Sequence, residues 1–166
     1  MQAFVSDYGD NIEKESVYFM LNLSIFAERL DSLLFDAKLN PPTFAKILGC
    51  GRATINRYLS GLKMPTVEMT VRIADYFQVS ADFLLGLEEE NHATIFRQYI
   101  PFRERLPQIC EEFCITKYQL QKKTEIPESA IYNWQSGRTK PTIESIVRIA
   151  EALCCTVDHV LGRECF

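Results

Sequence analysis

The chain has 166 residues, of which 47% are hydrophobic and 24% are charged, and its formal net charge is −4. No apolar run reaches the roughly 18 residues of a membrane-spanning helix, and the N-terminus lacks the basic and apolar regions of a secretory signal. Composition therefore excludes a membrane-embedded or exported protein and predicts a soluble, cytoplasmic one.

A repeat organises the chain. Residues 26–87 align with residues 102–163 at a constant offset of 76 residues without a gap, and 18 of the 62 aligned pairs are identical. Self-similarity of this extent indicates an internal duplication. We therefore predict four segments, namely a leader at 1–22, a first domain at 23–87, a connector at 88–100 and a second domain at 101–166.

The leader has no counterpart in the second repeat. Its first half is polar and acidic, whereas its second half begins with five large apolar residues in the run VYFMLNL. Such a run is unusual in a disordered tail, so we expect the leader to dock on the first repeat or on a second subunit. Both docking alternatives are open at this point.

Capping residues and apolar spacing predict five helices in the first repeat. Ser24 is expected to cap a helix that extends to about Ala37. Asn40 caps the second helix, with two prolines in its first turn and Gly49 after its end. The predicted buried face of this helix consists of Phe44, Ala45, Ile47 and Leu48.

The third helix is predicted from about Arg52 to Tyr58, and a Ser-Gly pair ends it. Thr66 and Ser80 are expected to cap the fourth and fifth helices. No segment alternates with the period of a strand for long, so the fold class is all-α, with two tandem five-helix domains.

The second repeat follows the same plan. Thr116, Thr142 and Thr156 stand where the first repeat has Asn40, Thr66 and Ser80, so the capping chemistry is retained. Pro107 lies where the first helix of this repeat is expected, and it predicts either a kink or a later start of that helix.

Five of the six cysteines fall in the second domain, 101–166, and the aligned positions 76 residues earlier are not cysteine. A disulfide framework shared by the two repeats is therefore not expected. Cys110 and Cys155 align with Leu34 and Val79, which predicts that both thiols lie in the apolar core. Neither a CxxC pair nor a histidine at metal-ligand spacing supports a metal site.

Two segments carry a family resemblance: NPPTFAKILGCGRATINRYLSGLKMPTVEMTVRIADYF and TKYQLQKKTEIPESAIYNWQSGRTKPTIESIVRIAEAL. Both resemble the phage-repressor, or XRE-type, helix-turn-helix family. Their shared features are the apolar second helix, the turn, an isoleucine before an aromatic residue, Ser-Gly, Pro-Thr and an Arg-Ile-Ala helix. The resemblance implies lambda-repressor-like domains that bind double-stranded DNA and regulate transcription.

The resemblance places the third helix of each repeat, at about 52–58 and 128–134, in the major groove of DNA. It implies that side chains near the start of these helices contact base edges. In the first repeat these are Arg52, Ala53, Asn56 and Arg57. In the second they are Glu128, Ser129, Tyr132 and Asn133. Ile55, Tyr58, Ile131 and Trp134 are expected to face inward.

Phosphate contacts are expected from the start of the second helix and from the loop after the third. The candidates in the first repeat are Thr43, Ser60 and Lys63. Those in the second repeat are Lys117, Ser136, Arg138 and Lys140. The family often places a glutamine just after the cap of the second helix, where this chain has Pro41 and Lys117, and Pro41 has no side chain that could hold a phosphate.

Charge is distributed unevenly. Residues 40–64 carry +4 without an acid and residues 116–140 carry +3, so the net charge of −4 leaves −11 for the rest of the chain. Cations gathered around a motif favour nucleic-acid binding. The connector of 13 residues reaches at most roughly 43 Å, whereas half-sites on one face of DNA lie roughly 34 Å apart, so one chain could place both domains on one duplex.

The partner predicted by these features is double-stranded DNA, and homodimer formation is open. An alternative is that one repeat, preferentially the second, has become a surface for a partner protein or for self-association. Glu128 favours this alternative because phosphates repel a carboxylate unless it accepts from cytosine. No paired catalytic groups, phosphate loop or metal signature occurs, so we predict no enzyme activity, cofactor or metal, and the sequence identifies no small-molecule ligand.

Overall fold

The computed structural model describes residues 10–91 and 95–164, with side chains from residue 23 onward. This part of the chain contains ten helices and no strand, which confirms the all-α class. The helices are α1 (Asp10–Asp36), α2 (Pro41–Ile47), α3 (Arg52–Leu59), α4 (Val67–Phe77), α5 (Ala81–Leu85), α6 (Phe102–Glu112), α7 (Lys117–Thr124), α8 (Glu128–Gln135), α9 (Ile143–Leu153) and α10 (Val157–Val160). None of them is both long enough and apolar enough to cross a membrane.

The chain divides into two compact units. The first comprises the residues up to Met64 together with Leu85–Leu87, and the second comprises Pro65–Leu84 and the residues from Glu88 onward. The boundary falls inside the first repeat, so α4 belongs to the same unit as the helices of the second repeat. The domain limits 23–87 and 101–166 stay a prediction.

In the first unit, α3 packs against both α1 and α2. Its buried side chains are Phe26, Leu30, Leu34, Phe44, Ala45, Leu48, Ile55 and Tyr58. Ile47 was expected among them, but it is 45% exposed, and that part of the prediction is wrong. The residue is the last one of this short helix, whose buried residues are Phe44 and Ala45.

Helix α1 begins at Asp10, so Ser24 lies inside it and is not its cap. The Ser24 hydroxyl donates to the Glu28 carboxylate one turn later, at 3.3 Å. The predicted start was wrong because no glycine or proline interrupts residues 10–36, and a serine within a helix is tolerated at little cost. The expectation that the leader docks on a surface concerns side chains of residues 1–22, which lie outside the described residues.

The other predicted caps are confirmed. Asn40 Oδ1 accepts from the Thr43 amide at 2.9 Å, and Thr66 and Ser80 accept from amides three residues later. Thr116 forms a capping box with Gln119. Thr142 and Thr156 cap α9 and α10 in the same way. Each cap satisfies an amide that the helix itself cannot pair.

In the second unit, α6 packs on α8, α7 packs on α8 and α9, and α9 packs on α10. Helix α6 begins at Phe102 and contains Pro107, so the alternative of a later start is wrong. Cys110 and Cys155 are half-buried and do not lie fully in the core. Burial raises the pKa of the Cys110 thiol. Burial is also the main reason that the pKa of Cys155 rises to about 11.

The duplication is also visible in the backbone. The described residues with positive φ form five pairs at the offset of 76, namely Lys38/Cys114, Gly49/Glu125, Gly61/Gly137, Gln78/Cys154 and Gly86/Gly162. In the turn between the two helices of the motif, the first repeat has glycine (φ 65°) where the second has glutamate (φ 55°). A side chain in this left-handed region is strained.

Replacing Glu125 with glycine is therefore expected to stabilise the protein by about 0.5–1 kcal/mol, because relief of the strain exceeds the entropy that glycine adds to the unfolded chain. Denaturant unfolding measures the change. The control Glu125→Gln removes the charge but keeps the strained backbone, and it should leave stability unchanged. Equal gains in both variants would assign the effect to charge instead.

Candidate nucleic-acid interface

Two buried residues hold α3 in place. Ile55 and Tyr58 are 0% and 2% exposed. The Tyr58 ring meets Phe26 of α1 edge to face, with ring centroids 5.9 Å apart. This geometry is favourable for aromatic pairs. The inward face of α3 is thereby fixed on α1, and its opposite face lies toward solvent.

Helix α8 is held in the same way. Ile131 and Trp134 are buried, and Trp134 meets Phe102 of α6 edge to face at 5.8 Å. Phe102 and Trp134 align with Phe26 and Tyr58, so the duplication has kept the anchor of this helix. The predicted inward orientation of all four residues on α3 and α8 is confirmed.

The proposed base-contacting residues share one face on each helix. Positions 52, 53, 56 and 57 are exposed on α3, and so are 128, 129 and 132 on α8, whereas Asn133 is half-buried. Residues three and four apart lie close together on a helix surface. Asn56 therefore lies near both Arg52 and Ala53, and Arg57 lies near Ala53. On α8, Tyr132 lies near both Glu128 and Ser129, and Asn133 lies near Ser129.

Comparison with protein families gives two matches. Residues 43–84 match a family model described as helix-turn-helix, and residues 105–165 match the Cro/C1-type HTH DNA-binding domain. The chain is a tandem Cro/XRE-type helix-turn-helix protein. Domains of this type are those of DNA-binding regulators. No curated protein and no solved structure matches the chain.

The two exposed faces of this tandem Cro/XRE-type protein differ in chemistry. Helix α3 presents two guanidinium groups and no carboxylate, whereas α8 begins with Glu128. Tyr132 is 59% exposed on α8, and the guanidinium of Arg138 lies 5.8 Å from its ring centroid. Such a contact orients a cation at the edge of the face. The two helices therefore offer different hydrogen-bonding groups to a ligand.

At the start of α2 the first repeat offers few amide donors. Pro41 and Pro42 have no N–H, and the Thr43 amide already donates to Asn40. After α3, the amides of Ser60, Gly61 and Leu62 all donate to carbonyls of the helix, and the Ser60 hydroxyl donates to the Asn56 carbonyl at 2.8 Å. An anion at this surface would therefore be bound by cationic side chains rather than by backbone amides. The exposed cations here are Lys63, Arg52 and Arg57.

Two of the second repeat's candidate cations form a hydrogen bond or an ion pair within the chain. Lys117 donates to Gln135 at the end of α8. Lys140 Nζ lies 2.6 Å from Glu68 Oε1, a carboxylate of α4. Ser136 donates its hydroxyl to the Asn133 carbonyl at 3.1 Å. The Lys117–Gln135 and Lys140–Glu68 pairs join residues distant in sequence, and the sequence did not predict them.

Burial alone would raise the pKa of Glu68, but the hydrogen bond from Lys140 and the nearby charge of Arg72 bring the pKa below its ordinary value. Glu68 is therefore a carboxylate at neutral pH, and a phosphate near Lys140 would compete with it. The described residues contain no group of three histidine, cysteine or acidic side chains arranged to hold a metal ion.

Proposed function

We propose that this protein is a cytoplasmic transcriptional regulator that binds double-stranded DNA sequence-specifically, with α3 and α8 entering the major groove. The observation that carries the proposal is the exposed surface of α3, which presents Arg52 and Arg57 to solvent on a helix fixed by buried Ile55 and Tyr58. Arginine can bind guanine through two hydrogen bonds, and the Ala53 methyl can contact thymine.

The first repeat is proposed as the main reader. Its acid-free segment 40–64 carries +4, and that charge attracts phosphates and makes binding sensitive to salt. Lys63 supplies a charged phosphate contact. Thr43 and Ser60 are uncharged and are proposed to contact phosphates at the edge of the groove. Because the prolines of α2 remove two amide donors, we expect cations to provide most of the phosphate binding in this repeat.

The second repeat is proposed to bind DNA more weakly than the first and to recognise a different base sequence. Ser129, Tyr132 and Asn133 would meet base edges, and Glu128 is tolerated next to a cytosine, because its carboxylate can accept a hydrogen bond from the amino group of that base. Arg138, Lys117, Lys140 and Ser136 would lie along the phosphates. Two of these cations must first leave Gln135 and Glu68, so their contribution to affinity is reduced.

Selection of binding sites from a random duplex DNA pool by the full chain tests this function. We expect enrichment of a two-part site with unequal halves, the stronger half containing guanine. Enrichment of a single half would restrict reading to one repeat. If no sequence is enriched even at low salt, the protein is not a sequence-specific DNA reader.

The second candidate function is a protein-interaction or self-association role for the second repeat. The pairing of Lys117 and Lys140 within the chain and the acidic start of α8 favour it. Sedimentation of the full chain with and without the selected DNA separates the two functions. A homodimer that persists when DNA is absent would support self-association, and a monomer that binds DNA through both halves would contradict it.

A further inference from the structure

Three acids of the first repeat are bound by the second repeat. Glu68, Asp75 and Asp82 are spaced seven residues apart on α4 and α5. Glu68 pairs with Lys140 at 2.6 Å, and Asp75 Oδ1 lies 2.7 Å from Arg163 Nη2. Asp82 accepts hydrogen bonds from two backbone amides of α10. All of these residues belong to the second compact unit.

Helices α5 and α10 are joined by reciprocal hydrogen bonds, in which the aspartate of each helix accepts from backbone amides of the other. Asp82 accepts from the Val157 amide at 2.8 Å and from the Asp158 amide at 3.1 Å. Asp158 in turn accepts from the Ala81 amide at 2.7 Å. Amides in the first turn of a helix lack partners within it, and each aspartate supplies partners to the other helix. Both aspartates are buried, so breaking the exchange would leave amides unpaired.

Arg163 balances the charge of this contact. Its side chain is fully buried and donates to both Asp158 and Asp75, and its guanidinium carbon lies 4.6 Å from the Phe96 ring centroid. Burial raises the pKa of Asp158 to about 7, against the opposing charge of Arg163, and burial also raises the pKa of Asp82. Removal of this arginine would leave buried Asp158 without its ion-pair partner, next to a second buried aspartate, Asp82.

The duplication shows that the cations are particular to the second repeat. The acids occur in both repeats, since Glu144, Glu151 and Asp158 align with Glu68, Asp75 and Asp82. The cations do not, because Lys140 aligns with Met64 and Arg163 aligns with Leu87. A domain of this fold therefore does not require a cation at either position. Glu144 and Glu151 are exposed, so Asp158 is the member of this second set of acids that is buried at the contact.

We propose that Lys140 and Arg163 form a docking surface of the second repeat for the acidic face of residues 65–84. We call these ion pairs the clasp. Because of the clasp, α4 and α5 unfold locally only when the second repeat also unfolds. The partner is a segment of the same chain, recognised through its carboxylates at seven-residue spacing. The proposal does not depend on DNA binding, and its readouts require no DNA.

The test is the full-chain double variant Lys140→Met and Arg163→Leu, which places the first repeat's own residue at each position. We expect amide hydrogen exchange at Ala81 and along α4 to accelerate by about tenfold or more, since loss of the clasp allows local opening. The matched control Lys123→Ile and Arg138→Leu makes the same kind of exchange at exposed cations outside the clasp. Equal exchange at Ala81 in both double variants would overturn the proposal.

A second arm approaches the clasp from the first repeat. Asp75 is half-exposed on α4, and Asp75→Asn removes a partner of Arg163 without changing the second repeat. We expect it to accelerate exchange at Ala81 in the natural chain and to have no effect when Arg163 is already leucine. Additive effects would contradict direct coupling. Sedimentation completes the test. If the natural chain is a dimer and the Lys140→Met and Arg163→Leu variant is a monomer, the surface binds a second copy of the chain, and the proposal is wrong.

Discussion

Replacing Arg52 and Arg57 together with alanine is expected to weaken binding to the selected DNA site by a factor of roughly 30 to 25,000, since each arginine that pairs with a base contributes roughly 1–3 kcal/mol. Both side chains are exposed, and α3 is anchored by Ile55 and Tyr58. The fold should therefore persist, and the loss should come from the missing contacts. Affinity is measured by titration of labelled duplex at several salt concentrations.

The control for charge is the double variant Arg103→Ala and Arg148→Ala. These arginines are exposed on α6 and α9, outside the proposed reading helices, and their removal changes the net charge by the same amount. It should weaken binding to selected and scrambled duplexes only slightly. The α3 variant should also lose the difference between those two duplexes. An unchanged preference for the selected site would show that α3 does not read it.

Local features of the fold could be predicted from the sequence because they depend on neighbouring residues. Asn40, Thr66 and Thr116 were identified as caps from their type and their place before an apolar run, and the structure confirms them. The inward positions of Ile55 and Ile131 followed from the repeat and the family resemblance. Two of the predictions that failed, the cap at Ser24 and the burial of Ile47, needed knowledge of where a helix begins and which of its residues are covered.

Contacts between distant residues could not be predicted in this way. Arg163 and Asp75 are separated by 88 residues, and no periodic pattern connects them. The available signal was indirect: an aspartate is kept at positions 82 and 158, whereas arginine occurs at 163 and leucine at 87. An identical acid and a changed cation indicate an ion pair whose cation only one repeat supplies, but they do not say where that ion pair lies. The engagement of Lys140 by Glu68 was missed for the same reason.

The roles of α3 and α8 can be compared by giving α8 the exposed residues of α3. The four substitutions are Glu128→Arg, Ser129→Ala, Tyr132→Asn and Asn133→Arg. Both helices have eight residues and the same anchors, an inward isoleucine and an aromatic ring that meets a phenylalanine edge to face. We expect site selection to yield two copies of the first half-site, because the exchanged side chains carry the contacts to bases.

The variant also raises the charge of segment 116–140 from +3 to +6, so binding to any DNA should strengthen and depend more steeply on salt. The control Glu128→Lys and Asn133→Lys supplies the same added charge without the bidentate geometry of arginine. It should strengthen binding to scrambled duplex but should not copy the half-site. If the four-residue variant leaves the second half of the selected site unchanged, α8 does not read bases, and the second repeat is better explained as the part of the chain that holds residues 65–84 through Lys140 and Arg163.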